Sequence, residues 1–492
     1  MQDWLAARAQ VSPQRTAIIE GEQQITYQAL DALAAHFAGR LAAAGVQPGD
    51  RLGVLLPNST VHAALIHASA RLGAVLVPLN TRLTADEIGW QLEKTAPRAL
   101  IYDDAAAQTA AQLAAPGRVL LAARDLAAAG GQKQEAGYSR WATGEIRLDA
   151  PFAIIFTSGT TGRPKGAVLT FRNVFYSAMA SAYRLGVLPD DRWLCVLPLY
   201  HVGGLSILIR SALYGTAVEL HNGFDVDAVN HALRTHPITL ISLVPTMLHR
   251  LLEAGGGPQW RDTLRLVLLG GAAAPPDLIA RCTAANIPVA ATYGLSEAAS
   301  QVATALPDAV RRKPGSVGKP LLFTAVRVVD EAGNPVPPGT VGEIVVSGPT
   351  VMPGYYGDDA ATAQVLRGGA LRTGDLGYLD EDGDLWPVQR RSDLIVSGGE
   401  NVYPAEVEDV LRAHPAVKAI CVVGLDHPEW GQQVAAAVVL HEGAALDAET
   451  LIAFGRQHMA GYKLPRRVRF VDALPQTASG KVRRDKVGEL FQ

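Results

Sequence analysis

PFAIIFTSGTTGRPKGAVLTF, residues 151–171, sets two apolar runs on either side of a turn built from hydroxyls, glycines, a proline and a lysine. PFAIIF reads as a buried strand, and AVLTFRNVFYSA as the strand and helix that anchor the turn from its far side. The turn itself, FTSGTTGRPKG, suits neither helix nor strand. Gly159 and Gly162 let backbone amides approach a ligand with no side chain in the way. Thr157, Ser158, Thr160 and Thr161 offer hydroxyl donors to anionic oxygens. Lys165 adds a mobile positive charge. The loop is a cradle for a polyphosphate, although not a GxxxxGK[ST] loop, because Gly159 is followed by Thr-Thr-Gly-Arg-Pro-Lys-Gly. The plain alternative is an exposed, hydroxyl-rich turn.

Outward from this loop the chain alternates strand and helix. RLGVLLPNS and LGAVLVPLN flank the helical pattern VHAALIHASA, and the rhythm recurs at RWLCVLPLY, GTAVELH, ITLISLVP and LRLVLLGG. Such alternation predicts parallel sheet with crossover helices. The start reads as a helix (DWLAARAQ), then strand, turn, strand and a long amphipathic helix. An Ala/Gln-rich stretch at 103–136 reads as helix and peripheral loop. After about residue 315 the pattern shifts to hairpins, including RTGDLGYLDEDGDLWPV with a DEDG turn. The fold class is therefore α/β: a large multi-sheet body over 1–391 and a smaller, mobile α+β domain over 392–492.

At 492 residues the chain exceeds what one core usually supports, so two domains are expected. A formal charge of −3 gives no reason to expect nucleic acid or an acidic membrane as partner. Cys195, Cys282 and Cys421 are far apart, form no CxxC pair and fit a reducing compartment. With no signal-peptide layout and no long uncharged apolar run, membrane insertion is not expected and the cytoplasm is. There is no GxSxG elbow, since GLSEA does not match it, and no close zinc-ligand cluster.

Five motifs occur in a fixed order: FTSGTTGRPKG; YGLSE at 293–297; RTGDLGYLDEDG at 372–383; RRSDLIVSGGENVYPAEVE at 390–408; and PQTASGKVRRD at 475–485. Together they resemble the adenylate-forming enzymes, the acyl- and aryl-CoA synthetases with luciferases and peptide-synthetase adenylation domains. The resemblance covers nearly the whole chain. It implies ATP, Mg²⁺ and CoA as cofactor or co-substrates and a small carboxylic acid as substrate. It implies Mg²⁺ at Glu297, adenine stacking on Tyr293 (core packing being the alternative), and the ribose hydroxyls at Asp375 and Arg390. Gln389 stands where many relatives have glycine, and the hinge position is Ser392. Lys481 is implied as the lysine of the first half-reaction, and the loop threonine Thr157 is counted with it among the catalytic residues. Gly398, Gly399 and Trp430 are implied to line the channel that admits the thiol in a second domain arrangement. The basic stretch Lys463, Arg466, Arg467 and Arg469 is either a contact for CoA phosphates or a solvated face. Homodimers are common in the group, but the chain shows no interface signal of its own.

The acid is set by the acyl pocket. PLYHVGG at 198–204 places His201 there, and LLGGAAAP at 268–275 puts Gly270 and Gly271 in its wall, leaving room for a flat ring. PLYHVGGLSILIRSALYG and the DWLAARAQVSPQRTAI opening resemble the o-succinylbenzoate–CoA ligases of menaquinone biosynthesis. That acid carries two carboxylates, and a buried one needs a partner. Arg210, nine residues past His201, is the candidate; a surface or inter-subunit arginine is the alternative. The rival substrates are other aromatic or medium-chain monocarboxylates; a carrier-protein thiol is the rival acceptor, and a non-enzymatic nucleotide-binding protein the remote alternative.

Overall fold

A computed structural model describes residues 1–127, 145–157, 164–389, 394–475 and 482–491. The large body holds two mainly parallel sheets. The six-stranded one runs, edge to edge, through Val119–Ala122, Ala99–Tyr102, Arg51–Leu55, Val75–Pro78, Pro151–Thr157 and Lys165–Thr170. Only its last pair is antiparallel. The nine-stranded sheet has a parallel centre that includes Arg192–Cys195, Leu240–Leu243, Leu266–Leu269 and Val289–Leu295, with antiparallel strands at both edges.

The central parallel strands bury both faces, as strands covered by crossover helices must. Trp193 and Cys195 join the main core, whereas Leu194 and Val196 join the cluster on the opposite face. Val54 and Leu76 likewise face the main core, and Leu55, Val75 and Val77 face away from it. The main core lies between the two sheets. The helices Tyr27–Ala43, Thr60–Leu72, Phe171–Leu185 and Val202–Tyr214 fill that space. Burial also pushes the Cys195 thiol up to about 12, and all three cysteines are buried and unpaired.

A five-stranded sheet follows, largely antiparallel, with the expected hairpin of Ala370–Leu379 and Leu385–Gln389. The small body has its own five-stranded sheet, led by the long hairpin Val417–His427/Gly431–Leu440, with separate apolar clusters on its two faces. The fold class read from sequence is the one found. The expected domain boundary at 391/392 lies outside the described residues. One expectation needs correcting: the stretch from 103 is not only helix and loop, because Val119–Ala122 is an edge strand paired in parallel with Ala99–Tyr102. Its four residues, VLLA, are too short for periodicity to separate strand from helix. No helix among the described residues is long and apolar enough to cross a membrane.

Candidate active site

A cavity of about 1060 Å³ opens where the parallel strands of the nine-stranded sheet end. Val196 and Leu197 follow one strand, Val244 another, Gly270 and Gly271 a third, and all five line it. Crevices outside the carboxyl ends of strands are where α/β sheets bind ligands. The small body closes the cavity from the other side with Gly398, Gly399, Glu400, Trp430 and Arg466.

The hydroxyl-rich loop joins two antiparallel strands, Pro151–Thr157 and Lys165–Thr170, in which Thr157 pairs with Lys165. Behind it, Thr170 and Asn173 form a reciprocal cap on the helix Phe171–Leu185. Ser158, Gly159, Thr160, Thr161 and Gly162 lie outside the described residues, as do Arg390, Ser392 and Lys481. Lys165 is not the mobile cation expected. It begins a strand, is 8% exposed and sits 5.4 Å from the centre of the Tyr355 ring, while still lining the cavity.

Glu297 is brought to this hairpin by a tight reversal between Val289–Leu295 and Ser300–Ala305. A Cβ on Gly294 would meet the Ser300 carbonyl oxygen at 1.8 Å, so this turn requires glycine. Ala299 and Ser300 take positive φ, 54° and 99°, a strained backbone of the kind that collects at sites. Burial pushes the Glu297 carboxyl above its ordinary range. The Tyr355 hydroxyl donates to its Oε1 at 3.0 Å, and the Thr157 hydroxyl at 3.4 Å. An enclosed carboxylate beside hydroxyl oxygens is a hard donor set that fits Mg²⁺.

Tyr293 and Asp375 also come together: the phenol donates to Asp375 Oδ2 at 2.7 Å. The Tyr293 ring is 6% exposed and packs within the main core. Asp375 lines the cavity.

The acyl end is built on the helix Val202–Tyr214, whose N-cap is His201. His201 Nε2 lies 3.3 Å from Glu400 Oε2, and Arg82 Nη1 lies 2.9 Å from Glu400 Oε1. Burial pushes the Glu400 carboxyl up, but the hydrogen bonds and charges of His201 and Arg82 outweigh it and hold the group below its ordinary range. Arg210 lies further along the same helix. It is 2% exposed and lines the cavity, so it is neither a surface nor an inter-subunit arginine. Its Nη2 is 3.5 Å from the Ser300 hydroxyl, its guanidinium sits over the Trp193 ring, and its Nε has no hydrogen-bond partner. Among the described residues no carboxylate pairs with it, and burial pushes its pKa down. Gly270 and Gly271 form wall as expected; a Cβ on Gly270 would meet Thr292 Cγ2 at 2.6 Å.

Sequence reasoning overlooked Arg82, Ser300, Val244 and Tyr355, and quoted Glu400 only as part of GGEN. Nothing local pairs Arg82 with a residue 318 positions away.

The sequence model of the AMP-binding enzymes matches residues 5–356, and that of the AMP-binding enzyme C-terminal domain matches 406–481. The chain belongs to the AMP-binding enzyme family. A 2-succinylbenzoate–CoA ligase from Geobacillus kaustophilus is 43% identical over 491 residues, covering 100% of this chain and 98% of that one. The o-succinylbenzoate CoA synthetase of Bacillus subtilis is a structural relative in two forms. A double mutant bound with its product analogue OSB-NCoA gives a TM-score of 0.93 at 38% identity, covering 99% of this chain and 98% of that one. The same enzyme in complex with ATP and magnesium gives 0.75 at 38% identity, covering 99% of each. Identity and coverage barely change, so the gap in score reflects arrangement. This AMP-binding enzyme shares its arrangement with the former.

Proposed function

We propose that this enzyme joins 2-succinylbenzoate to CoA through an acyl-adenylate, giving 2-succinylbenzoyl-CoA, AMP and pyrophosphate, a step of menaquinone biosynthesis. The observation that carries the choice of acid is Arg210, a buried cation at the acyl end of the cavity with no carboxylate partner among the described residues. A monocarboxylate would leave it unpaired. The aromatic carboxylate of 2-succinylbenzoate would pair with it, with the Ser300 hydroxyl alongside. The relatives named above act on this acid, which supports the reading.

A carboxylate is a poor electrophile because its leaving group would be oxide. In the first half-reaction the succinyl carboxylate oxygen bonds to the α-phosphorus of ATP as the bond to pyrophosphate breaks. Lys481 offsets the charge gathered there, and the hydroxyl loop from Thr157 through Gly162, with Lys165, holds the phosphates. Glu297 and Thr157 would hold Mg²⁺, which supplies charge neutralisation for the triphosphate. Asp375, oriented by the Tyr293 hydroxyl, accepts from the ribose hydroxyls, and Arg390 donates to the ribose oxygens.

In the second half-reaction the CoA sulfur bonds to the acyl carbon, the bond to AMP breaks, and the thiol proton passes to solvent. The arrangement described here suits this step: Gly398, Gly399 and Trp430 flank the cavity, and Arg466 stacks on Trp430 at 4.4 Å. Rotation about Ser392 would exchange this face for Lys481. The place of action is the cytoplasm, which the buried, unpaired cysteines fit.

The test is pyrophosphate release with Mg-ATP and a panel of 2-succinylbenzoate, benzoate, 4-chlorobenzoate, octanoate and acetate, with mass detection of CoA thioesters. Strong preference for 2-succinylbenzoate with its thioester formed is the expected result. Preference for a monocarboxylate would overturn the substrate, and pyrophosphate without thioester would overturn the acceptor.

A further inference from the structure

Lys463 is the member of the basic stretch that cannot meet CoA or solvent. Its side chain is 3% exposed, and its ammonium donates at 2.6 Å to Glu87 and at 2.6 Å to Glu406. The three residues belong to different bodies. Glu406 lies on the small-body helix Pro404–Arg412, and Lys463 ends the short turn Gly461–Lys463 of the same body. Glu87 lies on the large-body helix Ala85–Thr95. Its other oxygen accepts from the Thr84 amide at 2.8 Å and from the Thr84 hydroxyl at 3.0 Å, a capping box that fixes the carboxylate before the small body arrives.

We propose that Lys463 is a positioning residue for the second half-reaction, a charge latch that permits the small body to dock in the thioester-forming arrangement. The proposal rests on the two-step reading above. Its logic is electrostatic. Both carboxylates accept from one nitrogen, so their oxygens lie within about 5 Å of each other, close enough for strong mutual repulsion. Docking buries them together, at 13% and 11% side-chain exposure. The second oxygen of Glu406 has no partner, so nothing else in the contact offsets its charge. With Lys463 present, docking closes a two-acid, one-base cluster. Without it, docking would bury two facing anions. Once the small body rotates away, Glu406 departs and Glu87 remains, each free to take water. Loss of Lys463 therefore burdens one arrangement and spares the other. A buried ion pair contributes little net stability against an apolar alternative, but removing one partner is strongly unfavourable, which makes such a cluster a selector of geometry.

The experiment separates the half-reactions in the full-length enzyme. ATP–pyrophosphate exchange reads adenylation; single-turnover transfer of preformed acyl-adenylate to CoA reads the second step. Lys463→Met is expected to keep exchange within about twofold and to slow transfer by about tenfold or more. Adding Glu87→Gln removes one of the facing anions, keeps a cap-competent side chain and is expected to restore transfer by about threefold or more. A defect internal to the small body would not be repaired by a change in the large one. Should Lys463→Met fail to fold, Glu87→Lys sets two ammonium groups against each other only on docking and carries the same expectation. Equal loss in both half-reactions, or no rescue by Glu87→Gln, overturns the latch. The product profile of the unaltered enzyme tests the substrate reading separately, because the ratio of half-reactions can be measured with any acid it adenylates.

Discussion

Replacing Arg210 by methionine tests the acyl pocket most directly. Methionine keeps an unbranched chain in the same space and removes only the guanidinium. If that group pairs with the aromatic carboxylate, its removal leaves an anion in a largely enclosed site. Removing one member of a buried pair costs about 3–5 kcal/mol. The cavity is roomy, about 1060 Å³, so water can follow the carboxylate in, and the low end applies. At 1.4 kcal/mol per tenfold, about 3 kcal/mol is a loss of about 150-fold in kcat/KM for 2-succinylbenzoate. Benzoate has no second carboxylate and never gained from the pair, so its kcat/KM should hold or rise.

The stability of the variant should not fall with its activity. Arg210 is an under-hydrogen-bonded cation in the interior, with Nε unpartnered, and an apolar side chain there removes a desolvation cost. The assay is initial-rate pyrophosphate release for both acids, with a thermal melt of each protein. An unchanged kcat/KM for 2-succinylbenzoate would refute the reasoning. So would an equal loss for both acids, because a merely structural arginine would not distinguish them.

Three further outcomes follow from the site. Glu297→Gln should lower adenylation by about a hundredfold and raise the Mg²⁺ concentration it needs, read by ATP–pyrophosphate exchange titrated with Mg²⁺. Glu400→Gln should slow transfer to CoA by about tenfold while sparing exchange, because it unpairs Arg82 and weakens the contact to His201. The Glu400 carboxyl is held below its ordinary 4.5, so its support for docking is complete above that value and is lost as pH falls through the lowered one. The unaltered enzyme should therefore lose transfer on that acid limb and the Gln variant should not, measured by stopped-flow transfer against pH. Gly399→Ala should slow transfer by about tenfold with exchange intact, since φ is +85° and the new Cβ would meet Val244 Cγ2 of the large body at 2.8 Å. Adding Val244→Ala should recover the steric part only.

What the sequence made legible was whatever is encoded locally. The strands PFAIIF and RWLCVLP declare themselves by apolar runs between punctuating residues, and both are found, with the loop at the end of the first. His201 was legible through PLYHVGG and Arg210 as the cation nine residues past it; both line the cavity, one as N-cap of the helix Val202–Tyr214 and one within it. The edge strand Val119–Ala122 was not, because four apolar residues in an Ala-rich stretch fit two periods equally well. Lys165 was misread for a related reason. A lysine in a Gly/Pro-rich turn reads as exposed, and only the pairing of Thr157 with Lys165 draws it into the sheet and against Tyr355.

The contacts that join the two bodies are of another kind again. Arg82 with Glu400, and Glu87 with Lys463, are separated by 318 and 376 residues, and neither pair has a local signature. Both lie near the entrance of the same helix, Ala85–Thr95, and both are charge pairs, not apolar packing. Such pairs suit a surface that the proposed two-step cycle would cover in one half and wet in the other. An apolar contact of equal area would cost free energy each time it opened and would invite other partners. Charged groups are tolerated by water when apart and demand complementarity when together. At Glu400 the contact reaches His201, so the docked small body touches the acyl end of the cavity directly.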